Sequence, residues 1–278
     1  MKISHAFLLG PALSLVLAVS PLSAGAIVTG SLSNTLPAVD DTSASPVNIG
    51  FSINFLGTTY NTLSVNQNGN VTFDSPGGDS DYSVPTLTEA GFPVIAPFFA
   101  DVDTSGAGSS QITWGNLTVG GQQAFAVDYV NVGYYPSASD KLNSFQLLLI
   151  QGTAAGNFTV EFNYDQIQWE AGLADGGIGG LGGGSAVVGF SGTGNSSGFT
   201  YQLPGSAVDG ALLDGGPQSL VSNSLNSRGG VAGRYDFNFV NGDLVTPTPE
   251  PATSGLTAAG MTLLLAGLMR LKSRRRQR

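Results

Sequence analysis

"VNIGFSINF", residues 47–55, alternates without a fault. Val47, Ile49, Phe51, Ile53 and Phe55 fall on one side and small or polar residues on the other, the period-two pattern of a half-buried strand. Downstream, "LSVNQNGNVTF" (63–73) repeats the pattern around Asn68-Gly69, where glycine supplies the positive φ that a tight hairpin needs. "AFAVDYVNV", "SFQLLLI", "FTVEFNY" and "YDFNFV" continue the series, separated by clusters of Gly, Ser, Asn and Asp. Long helical periodicity is missing, and "PTLTEAGF" (85–92) has room for one or two helical turns. With 40 glycines and 14 prolines among 278 residues, the chain reads as all-β, an antiparallel β-sandwich or barrel-like domain.

Both ends read as addresses. Lys2 precedes an apolar run over residues 6–19, Pro21 breaks it, and Ala24 and Ala26 supply the small residues of a signal-peptidase site. Residues 1–26 are therefore expected to be a signal peptide, because an apolar core of about 14 residues falls short of the roughly 20 that a span needs. At the other end, a Pro-rich linker (244–251) leads into an apolar run (252–269) and a basic tail (270–278). The run is long enough for a single transmembrane helix, and the tail holds six of the chain's 10 Lys and Arg, which predicts a cytoplasmic C-terminus. Pro249-Glu250-Pro251, the short span and the basic tail resemble the PEP-CTERM sorting signal of Gram-negative bacteria. The resemblance implies an exosortase as partner during sorting, cleavage near the motif, and transient inner-membrane anchoring before delivery to the cell surface or extracellular matrix.

Residues 27–243 form one domain, ample for a single core. All 19 acidic residues lie between Asp40 and Glu250, against Lys141, Arg228 and Arg234, for a net charge of −16 in that stretch. Such a surface repels nucleic acid and anionic lipid, both of which require Lys and Arg to replace their counterions. The single histidine, His5, sits in the leader, and cysteine is absent. Ser-His-Asp and Cys-His catalysis, His/Cys zinc sites and disulfides are thereby excluded from the domain.

The strand order carries a second resemblance. "INFLGTTYNTLSVNQNGNVTF", "FPVIAPFFADVDTSGAG", "FQLLLI", "FTVEFNYDQIQW", "AVVGFSG" and "YQLPGS" follow one another as in the NIDO, or nidogen-like, domain, over residues 47–206. The resemblance implies an extracellular, non-catalytic module for adhesion or matrix interaction, with an extracellular polysaccharide or a surface protein as partner.

Candidate sites are few. Asp101 and Asp103, two apart in "ADVDTSG", would share one side of an extended segment and, with Ser105, offer oxygen ligands to calcium, the one candidate cofactor. The alternative is a turn in which both aspartates accept backbone amides. Ile112 occupies the place of the bidentate Glu of an EF-hand loop, so no EF-hand is present. Tyr134, Tyr135 and Trp169 could stack on sugar rings or complete the core. Glu161 and Glu170 are the pair a carboxylate glycosidase would use, although Glu161, on the polar side of "FTVEFNY", is expected to meet solvent. "GIGGLG" (177–182) matches a dinucleotide fingerprint only in letters, inside a glycine-rich stretch expected to be a loop. Lys141 beside Asp140 reads as an exposed charged lysine, and sequons at Asn116, Asn157 and Asn195 occur at chance frequency. The sequence thus points to a non-catalytic adhesion or matrix module, with calcium-assisted glycan binding as the alternative.

Overall fold

A computed structural model describes residues 25–73, 86–192 and 198–245. The elements, in chain order, are β1 (Asn34–Thr35), β2 (Ser43–Phe55), β3 (Thr58–Asn66), β4 (Asn70–Thr72), β5 (Val94–Phe99), β6 (Val102–Asp103) and β7 (Thr113–Val119). They continue as β8 (Gln122–Tyr134), β9 (Ala138–Gln151), β10 (Phe158–Gln166), β11 (Val187–Ser191), β12 (Thr200–Gln202), β13 (Arg234–Val240) and β14 (Asp243–Val245). There is no helix among the described residues, and the stretch at 86–92 makes only a turn closed by Glu89 N–H to Thr86 O.

The strands form two antiparallel sheets. The larger runs β1-β7-β8-β9-β10-β13-β14, with β6 pairing to β8, and the smaller runs β12-β11-β5-β4-β3-β2. Their inner faces meet in one core, so the architecture is a sandwich. Phe98 of β5 packs on Phe145 of β9 at 5.3 Å, Phe55 of β2 on Phe239 of β13 at 5.5 Å, and Phe190 of β11 on Phe237 of β13 at 5.3 Å. Two tyrosine hydroxyls cross the core to backbone carbonyls of the other sheet: Tyr129 to Asn66 at 2.7 Å and Tyr164 to Pro97 at 2.6 Å. In β2 the alternation is realised as read, with Ile49, Phe51, Ile53 and Phe55 buried and Asn48, Gly50 and Ser52 exposed.

Between β3 and β4 the turn is three residues, with Asn66 opposite Asn70. Gly69 has φ +69°, and its Cα lies against the Phe98 carbonyl, where a Cβ would collide. Its own carbonyl accepts the Phe98 N–H, so the hairpin is locked to the start of the following corner.

The outer faces are covered as well. Val119, Ala124, Ala126, Leu148 and Ile150 form a second apolar layer on the large sheet, over which Val28 and Leu32 lie. Leu87, Ala90 and Phe92 do the same for Val94, Ala96, Phe99 and Val187 on the small sheet. Unbroken apolar runs such as "LLLI" (147–150) and "VIAPFF" (94–99) are what a strand buried on both faces requires.

Ala26, the last residue of the expected leader, is packed into the domain. Its N–H donates to Asp165 at 2.6 Å, and its carbonyl accepts from the Arg234 guanidinium at 2.8 Å. At the other end β14 carries the domain through Val245. Ala24, the Pro249-Glu250-Pro251 motif, the apolar run 252–269 and the basic tail lie outside the described residues.

Candidate functional site

The two aspartates of "ADVDTSG" diverge. Val102 and Asp103 form the short strand β6, and the Asp103 carboxylate closes a turn. Its Oδ1 accepts the Ser105 N–H at 2.8 Å and the Ser105 hydroxyl at 2.6 Å, while Oδ2 accepts the Ser137 N–H at 2.6 Å. Asp103 and Ser105 are therefore turn residues, as the alternative sequence reading had it, and their oxygens are spent on the protein.

Asp101 is different. It sits between β5 and β6 with 2 % of its surface exposed, and Oδ2 has no hydrogen-bond partner. That oxygen rests over the Cα of Gly172, a position any side chain at 172 would fill. The backbone of Asp101 is tied down, since its carbonyl accepts the Tyr135 N–H at 3.2 Å. Its neighbours are Asp40 and Asp41, from the loop between β1 and β2. One carboxylate oxygen from each of the three residues lies within 4.8 Å of the others. Asp40 bridges to Asp103 through the backbone, and the Asn68 amide, from the β3–β4 turn, donates to Asp41 Oδ1 at 2.9 Å. Burial, reinforced by Asp175, Asp40, Asp41 and Asp103, pushes the Asp101 carboxyl up to about 8. Burial, then Asp41 and Asp103, brings Asp40 to about 6.

Nothing in "VDDTS" links Asp40 and Asp41 to a segment 60 residues away. The Asp40–Asp103 bridge, with Gln67 and Asn68 of the β3–β4 turn bonding to both sides, brings the corner after β5 against the loop before β2 and creates the cluster. The doublet of adjacent aspartates ahead of a strand was the available signal.

The other residues singled out in the sequence take structural places. Trp169 has no exposed surface, donates its indole N–H to the Val132 carbonyl at 3.1 Å, and packs on Tyr134 at 5.4 Å. Tyr134 is 5 % exposed and bonds Asp140 at 2.9 Å. Neither ring offers a face to a sugar; both complete the core beneath the glycine-rich loop, whose Gly180 abuts Trp169. Tyr135 is half-buried. The match "GIGGLG" lies within that loop, between β10 and β11, and Lys141 reaches the Gly179 carbonyl at 2.7 Å.

Glu161 does not meet solvent. The outer face of β10 is covered by the segment before β13, and Glu161, fully buried, is held by Arg228 at 3.1 Å and Arg234 at 3.1 Å. Directly across the β10–β13 ladder stands Asp236, whose carboxyl is raised by burial and by the charge of Glu161. Glu170, equally buried, accepts the N–H groups of Gly210 and Leu212 at 2.7 Å each. Each glutamate anchors a different loop.

A polar groove of ≈ 610 Å³ opens along the side of the sandwich where β2 of one sheet approaches β1 and β7 of the other. Half-buried Trp114 lines it together with Asn34, Ser45, Asn48 and Asn116, and the Asn116 amide spans the gap to the Ile49 carbonyl at 2.7 Å. Trp114 is the aromatic residue that the sequence reading passed over. It stands in "ITWGNL", an ordinary strand pattern.

A family described as NIDO related matches residues 20–209, more than half of the chain. The chain belongs to the NIDO-related family. Among curated proteins, this NIDO-related chain is similar to alpha-tectorin of Mus musculus, 30 % identical over 82 % of the chain, and of Homo sapiens, 29 % identical over the same share. Alpha-tectorin of Gallus gallus is 31 % identical over 76 % of the chain. The chain spans only about a tenth of the length of these relatives, 11 %, 11 % and 10 % respectively. No solved structure matches it. The matched segment takes in both sheets apart from β13 and β14, together with Asp40, Asp41, Asp101 and the groove.

Proposed function

We propose that the protein is an exported, non-catalytic module that binds components of an extracellular matrix. Family membership over residues 20–209 carries this reading, and the likeness to alpha-tectorin, an extracellular matrix protein, supports it. The site chemistry is in keeping with it. The two glutamates that a glycosidase would need are each committed to holding a loop. A retaining or inverting pair must instead flank one bond at about 5–9.5 Å, with access to substrate. The N-terminal leader would export the chain. The Pro249-Glu250-Pro251 signal and the basic tail would hand it to an exosortase for release at the surface of a Gram-negative cell.

The groove beside Trp114 favours a second reading, in which the matrix component is a glycan. One aromatic face flanked by asparagine and serine side chains is a surface on which a sugar ring stacks while its hydroxyls find donors and acceptors. The test is co-sedimentation of the full chain with extracellular matrix purified from the producing cells. Retention of the wild type is expected, with retention of Trp114→Ala reduced at least tenfold if the glycan reading holds. Equal retention of both proteins would move the contact away from the groove and leave the matrix reading intact. No retention of the wild type would refute the matrix reading itself.

A further inference from the structure

We propose that Asp40, Asp41 and Asp101 form a binding site for one divalent cation of the calcium type, closed beneath by Gly172 and oriented by Asn68. The site stands on its own geometry and does not depend on the matrix reading.

Three observations converge. First, the three carboxylates present one oxygen each within 4.8 Å of one another. Ligands at 2.3–2.6 Å from a calcium ion stand at most about 5 Å apart across the ion, so the oxygens already fit within a single shell. Second, Asp101 Oδ2 is an acceptor removed from water and left without a partner, and Asp40 Oδ1 is another. A buried carboxylate oxygen with nothing to accept is costly unless a cation fills the place. Two residues along the same segment, Asp103 has three donors on its carboxylate, so the chain saturates one aspartate and leaves the other open. Third, no protein cation balances the cluster among the described residues. Arg228 and Arg234 face Glu161, and Lys141 faces Asp140 and the Gly179 carbonyl.

An all-oxygen, carboxylate-rich donor set suits a hard cation, and donors drawn from irregular loops suit the irregular shell that calcium accepts and magnesium resists. Extracellular sites of this kind bind with Kd on the order of 0.1–1 mM, within reach of calcium outside a cell. Bound there, the ion would add a direct link between the loop before β2 and the corner after β5, which the Asp40–Asp103 bridge, the Thr104 hydroxyl on the Val39 carbonyl and the Gln67 and Asn68 side chains already hold together.

The experiment uses the purified full-length chain in detergent at fixed pH and ionic strength. It follows the thermal midpoint during titration with calcium chloride, magnesium chloride or chelator, with calcium affinity read in parallel by calorimetry. For the wild type a saturable rise in midpoint with calcium is expected, at least tenfold weaker with magnesium. Asp101→Asn should weaken calcium binding at least tenfold. In chelator the same variant should melt at or above the wild type, because the amide removes a carboxyl whose ionised form burial and the neighbouring aspartates disfavour. Asp41→Asn, at an exposed position that keeps the oxygen facing Asn68, should weaken binding without lowering the midpoint in chelator. The proposal is overturned if the wild type shows no saturable response to calcium. It is overturned equally if both variants retain wild-type affinity, or if Asp101→Asn melts below the wild type in chelator.

Discussion

Replacing Glu161 by glutamine removes one charge from the most heavily committed carboxylate of the large sheet. Glu161 has no exposed surface and meets both Arg228 and Arg234, while Asn163 donates to it at 2.9 Å. Breaking a buried ion pair by removing one partner costs about 3–5 kcal/mol, because the remaining ion is stranded. Two features of the cage lower that figure. Arg228 has 45 % of its side chain exposed and can turn to water. Arg234, at 8 %, keeps neutral acceptors in Asn163 Oδ1, the Arg228 carbonyl and the Ala26 carbonyl. Asp236, relieved of the charge opposite it, also becomes a better partner for Arg228. The expected loss is therefore about 2–3 kcal/mol, which for a domain of this size lowers the thermal midpoint by roughly 4–12 °C. Urea denaturation followed by the fluorescence of fully buried Trp169 measures it. Thr159→Ala, on the same strand with an exposed side-chain hydrogen bond, is the control and should cost no more than about 0.5 kcal/mol. A loss for Glu161→Gln below about 1 kcal/mol, or one equal to the control, would refute the reasoning that this cage fastens the segment before β13 to the sheet.

Three further outcomes are expected. Gly69→Ala should destabilise the domain by at least about 2 kcal/mol more than Gly120→Ala in denaturant titrations. Both have positive φ, but only Gly69 abuts a backbone carbonyl, while Gly120 has open space around it. Asp128, half-buried and bonded to Gln146 at 2.7 Å, has its carboxyl raised by burial from 3.8 to about 6. The folded chain holds that proton where the unfolded chain has lost it, so this contribution to stability is full below about pH 4, falls as the pH rises to 6, and is gone above. Asp128→Asn should thus gain on the wild type across that window, by at most about 3 kcal/mol, and a constant difference from pH 4 to 7 would contradict it. Finally, N-terminal sequencing of exported protein should show Ala26 retained, since cleavage after it would remove the carbonyl that Arg234 holds; a chain beginning at Ile27 would contradict this.

The sheet was legible in the sequence because β2, β3, β8, β9 and β10 each carry enough alternating or continuous apolar residues to fix their state locally. What escaped was the outer layer. Glu161 was placed in water because alternation along one strand cannot report that another segment returns to cover its polar side. Trp169 and Tyr134 were left open between sugar stacking and the core for a related reason: glycine-rich sequence looks open, whereas here Gly180 lets the backbone lie directly on the indole. The acidic cluster was half legible. "DVD" announced carboxylates at a corner, but pleat geometry suggested that both aspartates face the same way. The corner after β5 turns them apart, sending Asp103 into its own turn and Asp101 towards a loop far away in the chain.

The edges of the two sheets bear on how such a protein behaves when crowded. A free strand edge is a row of unpaired amides and carbonyls that another chain can extend, and an uninterrupted one invites fibres. Among the described residues, three of the four strands that end the two sheets, β1, β12 and β14, are only two or three residues long. The fourth, β2, runs for 13 residues, but its pairing with β3 shifts register twice, and Pro46 withdraws one donor. Two molecules meeting edge to edge would find no straight ladder to continue. Copies of such a chain can therefore stand close together without zipping into aggregates.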